Sequence, residues 1–220
     1  MEAAGSAPSP WLIRLIAGVM LATAACNEGP RAAGPAFSSR QSPVNASWQS
    51  TAALSEQRVY HSATALGSGH VLVAGGWSYD SYLASAVLYS PAAGAWAATG
   101  SMAIPRQGHT ASVLQSGKVL VAGGENFGGY TASAELYDPA AGTWTAAGSL
   151  SRARGYATAT VLQSGDVLFA GGLNTGGAWN TVDVYSLVTG AWSAAAPMKE
   201  HRRSHTATRL QSGKVLVAGG

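Results

Sequence analysis

With 220 residues, 47% of them hydrophobic, the chain can bury a sizeable core, yet only 10% of its residues are charged, against about 25% in typical soluble domains. Its 28 glycines make up much of the difference and suit tightly turned sheets. The net charge of +3 is scattered, with no basic run or stripe, which excludes nucleic acid as a partner class.

Residues 1–26 read as a signal peptide. A lone Arg14 precedes an apolar run over 15–25, about the length of a signal-peptide core and too short to span a bilayer as a lasting helix. The run ends in Ala22, Thr23, Ala24 and Ala25, directly before Cys26. Cys26 is the only cysteine, so a disulfide within one molecule is excluded. Small residues followed by cysteine resemble the lipobox of bacterial lipoproteins, except that Thr23 stands where that family has a branched aliphatic residue. The resemblance implies lipid attachment at Cys26 and export to the cell envelope, as an outer-membrane lipoprotein that meets the membrane through its lipid alone. Cleavage after Ala24 without lipidation, giving an extracellular protein, is the other reading. Residues 27–40, with Pro30 and Pro35 and no apolar periodicity, form a Pro/Ser/Gly/Ala-rich tether.

From residue 41 to residue 220 a 48-residue repeat runs without insertion or deletion. Trp48, Trp96, Trp144 and Trp192 keep this step, as do Arg58, Arg106, Arg154 and Arg202. Tyr89, Tyr137 and Tyr185 keep it too, and so do the pairs Gly75-Gly76, Gly123-Gly124, Gly171-Gly172 and Gly219-Gly220. Each repeat is one supersecondary module that buries its apolar face against its neighbours. The repeats divide into a partial unit over 41–57, full units over 58–105, 106–153 and 154–201, and a partial unit over 202–220.

The unit 106–153 shows the pattern. Residues 109–114 alternate and predict a first strand, 115–117 a tight turn, and 118–122 a β-branched apolar second strand that ends at Gly123-Gly124. Residues 132–137 predict a third strand, Asp138 to Gly142 a turn, and Trp144 opens a fourth strand that closes near Leu150. No helical period occurs. Arg106-x-x-His109, the run ending in Gly123-Gly124, Glu135 to Pro139 and Gly142-Thr143-Trp144 resemble the kelch repeat. The resemblance implies an all-β fold, a kelch-type β-propeller of four-stranded antiparallel blades whose first strands line a central channel. About three and a half blades are present, where closed propellers use about four to eight, so the propeller is expected to be incomplete and the coding sequence truncated. The repeated Trp, Tyr, Gly and Arg residues read as structural: aromatics packed between blades, glycines at close backbone approaches, arginines in inter-blade hydrogen bonds.

Chemistry is hard to find in these residues. Galactose oxidase, a kelch-type propeller enzyme, holds copper with tyrosines and histidines and carries a Tyr–Cys crosslink, for which this chain has no cysteine beyond Cys26. His61, His109 and His205 share one repeat position, filled by Ala157 in the third full unit, and read as strand residues. Asp138 to Trp144 carries the residues of a sialidase Asp-box at the wrong spacing, without the carboxylates a glycosidase needs. No catalytic residue, metal ligand or cofactor is expected. A galactose-oxidase-like or glycosidase-like enzyme with its site in further blades is the alternative.

Binding is the expected function. The segments after the Gly pairs have constant length and differing composition, with aromatics beside Asn and Gly. They supply the candidate ligand-binding residues Trp77, Tyr79, Tyr82, Asn126, Phe127, Tyr130, Asn174, Trp179 and Asn180. Rings with amide neighbours suit a protein or polysaccharide ligand.

Overall fold

The computed structural model describes residues 50–220. Cys26, Trp48, the signal segment, the tether and most of the first partial unit lie outside the described residues.

The first full unit contains β1 (Ser62–Ala65), β2 (Val71–Ala74), β3 (Trp77–Ser78), β4 (Ser81–Tyr82), β5 (Ala86–Ser90) and β6 (Ala95–Thr99). The second repeats the order as β7 (Thr110–Val113), β8 (Val119–Ala122), β9 (Glu125–Asn126), β10 (Gly129–Tyr130), β11 (Ser133–Asp138) and β12 (Thr143–Ser149). The third holds β13 (Thr158–Val161), β14 (Val167–Ala170), β15 (Leu173–Asn174), β16 (Gly177–Ala178), β17 (Val182–Tyr185) and β18 (Trp192–Ala195). Then come β19 (Thr206–Arg209) and β20 (Val215–Ala218).

Each unit makes one antiparallel four-stranded sheet: β1-β2-β5-β6, β7-β8-β11-β12 and β13-β14-β17-β18, with β19-β20 as a two-stranded sheet. These are propeller blades. The segment after each Gly pair, for which the sequence predicts no strand, is a separate two-stranded hairpin: β3-β4, β9-β10 and β15-β16. Strands of two residues are too short to leave an alternating pattern.

The second strand β8 is apolar throughout because neighbouring blades cover both its faces. Leu72 and Ala74 of β2 pack with Val119 and Val121 of β8. On the far side of β8, Leu120 and Ala122 pack with Val167 and Phe169 of β14. Fully burying each such side chain contributes about 1.5–3 kcal/mol. The first strands of successive blades, β1, β7, β13 and β19, lie side by side. His109 Nε2 pairs with Ser62 Oγ at 2.9 Å, and His205 Nε2 with Thr158 Oγ1 at 2.9 Å, so these histidines bridge adjacent first strands. Burial, aided by Arg106 and His61, pushes the His109 pKa down to about 3. His109, one residue before β7, is therefore neutral.

Trp144 and Trp192 pack between blades, and these two and Trp96 each donate an indole N–H backward. Trp96 Nε1 reaches Ala52 O at 2.8 Å, Trp144 Nε1 reaches Gly100 O at 2.7 Å, and Trp192 Nε1 reaches Ala147 O at 2.9 Å. Tyr89, Tyr137 and Tyr185 stack on the tryptophan of their own unit with centroids 4.9–5.2 Å apart. Tyr137 Oη also meets Thr99 Oγ1 of the preceding blade at 2.7 Å.

The arginines require a correction. The guanidinium of Arg106 bonds chiefly within its own unit, Nη1 to Gly123 O and Ser133 O, both at 2.8 Å, and Nη2 to Glu135 Oε1 at 2.8 Å, while Nε reaches back only to Ile104 O at 3.3 Å. Arg154 repeats this with Gly171 O at 2.8 Å and Asp183 Oδ2 at 2.6 Å. The inter-blade bonds come instead from the arginine backbone. The second glycine of each pair donates to it: Gly76 N to Arg106 O at 2.8 Å, Gly124 N to Arg154 O at 3.0 Å and Gly172 N to Arg202 O at 2.8 Å. The glycine before it cannot carry a side chain, since a Cβ on Gly123 would lie 2.5 Å from Arg154 O at a φ of +66°. The side chain explains the arginine: Arg58, Arg106 and Arg154 each donate to the carbonyl of the first glycine of the pair in their own unit, Gly75, Gly123 and Gly171, so the Gly pairs and the arginines recur in step.

Candidate functional site

The hairpins after the Gly pairs and the backbone entering the first strands form one face. Isolated bridges join them: Val59 with Trp77, Gln107 with Glu125, and Gly155 with Leu173. The next residue in each unit, Tyr60, Gly108, Tyr156 and Ser204, turns to positive φ at 54°, 59°, 54° and 49°. Its amide bonds back to the preceding unit: Gly108 N to Tyr60 O at 3.0 Å, Tyr156 N to Gly108 O at 2.7 Å, and Ser204 N to Tyr156 O at 2.9 Å. A left-handed conformation costs an L-residue roughly 1–2 kcal/mol, so both tyrosines are held against a local preference.

Tyr156 occupies the space above Gly108, where an added Cβ would lie 2.8 Å from its ring. It thereby reaches Tyr60, two units away, with centroids 5.9 Å apart and rings at 85°. Tyr60 is 62% exposed.

The predicted aromatics divide into two groups. Trp77, Tyr82 and Phe127 come together: Trp77–Tyr82 at 4.7 Å, Tyr82–Phe127 at 4.8 Å and Trp77–Phe127 at 6.2 Å between centroids. The trio crosses the boundary between the first and second units, and Phe127 remains 72% exposed. Tyr130 pairs with Glu125 across β9-β10. Tyr79 stands apart at its hairpin tip, 79% exposed with a φ of 48°. Trp179 belongs to the third unit, with the Arg152 guanidinium 4.7 Å from its ring centre.

The predicted amides shape the hairpins and their surroundings. Asn126 Oδ1 accepts from Gly128 N and Asn174 Oδ1 from Gly176 N, both at 2.8 Å. These are Asx turns. Asn180 Nδ2 donates to Met198 O at 3.0 Å and Asn174 Nδ2 to Ala153 O at 3.3 Å.

Sequence reasoning missed Glu125, Gln107, Tyr60 and Tyr156. Glu125 occupies the repeat position of Trp77 and Leu173, so a carboxylate stands where the flanking units are apolar. Gln107 Nε2 donates to Glu125 Oε2 at 3.2 Å. Burial first, and then Glu125 with Tyr130, Tyr60 and Tyr82, pushes the Tyr156 pKa up to about 12. Tyr82 and Tyr130 are also raised, by burial and then by Glu125, while Arg203 draws Tyr130 the other way. Glu125 thus lies close enough to Tyr82, Tyr130 and Tyr156 to disfavour each of their phenolates. Among the described residues no three His, Cys, Asp or Glu side chains converge as a metal site.

Residues 105–151 match the kelch motif family model. The chain is similar in structure to the protein solved as "Structure of YjhT", with a TM-score of 0.62 and 17% sequence identity, over 73% of this chain. It spans 59% of that structure's length, and at this identity the likeness is one of fold. No curated protein sequence matches the chain. Residues 105–151 thus form a kelch repeat, and the blades are those of a kelch-type β-propeller.

Proposed function

We propose that the chain is a non-catalytic binding module of the cell envelope, which recognises a protein or polysaccharide through the face formed by β3-β4, β9-β10 and their neighbours. One observation carries this reading: Trp77, Tyr82 and Phe127 form a continuous aromatic surface across a unit boundary, with Phe127 largely in solvent. Apolar rings exposed beside polar groups are the usual anchors of binding surfaces. Burial between blades accounts for the repeated aromatics, whereas Tyr79 and Phe127 stay largely in solvent. The same proposal places the protein outside the cytoplasm, anchored by lipid on Cys26, on the strength of the apolar run and small residues before it.

The test is capture of ligand from an array of envelope polysaccharides and surface proteins by the whole chain. The expected result is selective retention that Tyr79→Ala with Phe127→Ala abolishes while the far-ultraviolet spectrum stays unchanged. Retention unaffected by both substitutions would sink the reading. Metabolic labelling with an alkyne fatty acid tests the anchor: label is expected on the natural chain and absent from Cys26→Ser.

A further inference from the structure

The geometry points to a site for a small quaternary ammonium group at the inner edge of this face, walled by Tyr60, Tyr156, Tyr82 and Tyr130 and neutralised by Glu125. It rests on the reading of this face as ligand-binding, and it names a ligand chemistry that the reading does not.

The first support is the arrangement of the rings. Tyr60 and Tyr156 meet at 85°, so together they form a corner instead of a flat stacking platform. Perpendicular electron-rich rings suit a rounded, weakly hydrated cation, which draws stabilisation from their faces. A sugar ring would favour a flat platform. Both tyrosines sit at positive φ, where the second unit uses Gly108. That glycine leaves room for the Tyr156 ring to lie above it. The corner is thus built at a backbone cost that packing alone does not require, since Gly and Ser fill the same position in other units.

The second support is the carboxylate. The ion pairs among the described residues are Arg58–Glu56, Arg106–Glu135, Lys118–Asp138 and Arg154–Asp183. Glu125 is in none of them, although it is half-buried among phenols and held by neutral Gln107. A half-buried carboxylate gains from a cation brought by a ligand. After burial, Glu125 adds to the rise of the Tyr156 and Tyr130 pKa values, so its charge reaches both rings. Arg203, the charged neighbour from the last unit, acts on Tyr130 in the opposite sense and is in none of these four ion pairs.

The experiment titrates the whole chain with choline and, in parallel, with its uncharged isostere 3,3-dimethyl-1-butanol, and follows tyrosine resonances by NMR. Saturable choline binding at millimolar concentration is expected, with no saturable response to the isostere. Glu125→Gln should weaken choline binding about tenfold. Tyr60→Gly and Tyr156→Gly, which install the residue the second unit already has, should remove it while unfolding midpoints hold or rise. Equal binding of the isostere, unchanged binding by Glu125→Gln, or no saturation by choline would each overturn the proposal. If choline binds as expected while Tyr79→Ala with Phe127→Ala leaves macromolecular capture intact, the hairpin-tip reading fails and this one stands.

Discussion

Arg106 and Glu135, 29 residues apart, form a fully buried ion pair at 2.8 Å, and Arg154 and Asp183 repeat it one unit later at 2.6 Å. Each pair ties the entry of a blade to that blade's third strand. Glu135 also accepts from Ala103 N at 2.7 Å and Ile104 N at 3.2 Å, so one carboxylate holds the crossing from the preceding blade as well. Burial draws the arginine pKa down and Glu135 draws it back, so the pair survives by mutual compensation.

Removing one partner therefore strands a buried charge. Glu135→Ala is expected to destabilise the chain by about 3–5 kcal/mol. The double replacement Arg106→Met with Glu135→Leu should cost clearly less. In the first full unit, Val87 stands at the acid's register and Arg58 instead pairs with Glu56, whose side chain is 40% exposed. There Glu56→Ala should cost no more than about 1 kcal/mol. Urea midpoints of the four proteins check the order.

Trp144 separates packing from hydrogen bonding. Trp144→Phe keeps a ring beside Tyr137 but loses the donor to Gly100 O, at an expected cost of about 1–2 kcal/mol. Trp144→Ala loses the ring as well and should cost about 3–5 kcal/mol. Equal losses for the two would mean that the ring contributes nothing between blades.

His109 sets a direction for pH. An unfolded chain takes up a proton near the ordinary histidine value of 6.5, whereas the folded ring refuses it until about pH 3. Stability is therefore fully present above 6.5 and falls as pH drops through this window, by an amount on the order of a few kcal/mol. His109→Ala, which copies Ala157 of the third unit, should flatten the dependence of the unfolding midpoint on pH between 6.5 and 4. An unaltered slope would assign the effect to other groups.

The hairpin tips should be separable from the fold. Tyr79→Ala and Phe127→Ala, at solvent-facing positions, are expected to move stability by within about 0.5 kcal/mol. Asn126→Ala, which loses the turn bond to Gly128 N, should cost about 1 kcal/mol. Thermal unfolding of the three variants measures the contrast.

The blades were legible because their chemistry recurs as letters: tryptophan, the glycine pair and arginine return every 48 residues because each fills an equivalent place in every unit, as the arginines do on the first glycine's carbonyl. Glu135 and Asp183 escaped because the first unit breaks the series with Val87 and borrows Glu56 from outside its blade. Tyr60, Gly108, Tyr156 and Ser204 escaped for a different reason. What repeats there is a backbone angle, and four positions filled by three residue types show no pattern to a search for identity. The aromatic candidates were legible as a set, but the sequence could not show that Trp77, Tyr82 and Phe127 would meet across a unit boundary while Tyr79 would not.

The indole bonds of Trp96, Trp144 and Trp192 all run one way, from a later donor to an earlier carbonyl. A chain made from its N-terminus thus exposes every acceptor before the tryptophan that will seek it has been synthesised. Each new blade can latch onto a finished surface, and no half-made unit has to keep an indole N–H waiting for residues still to come.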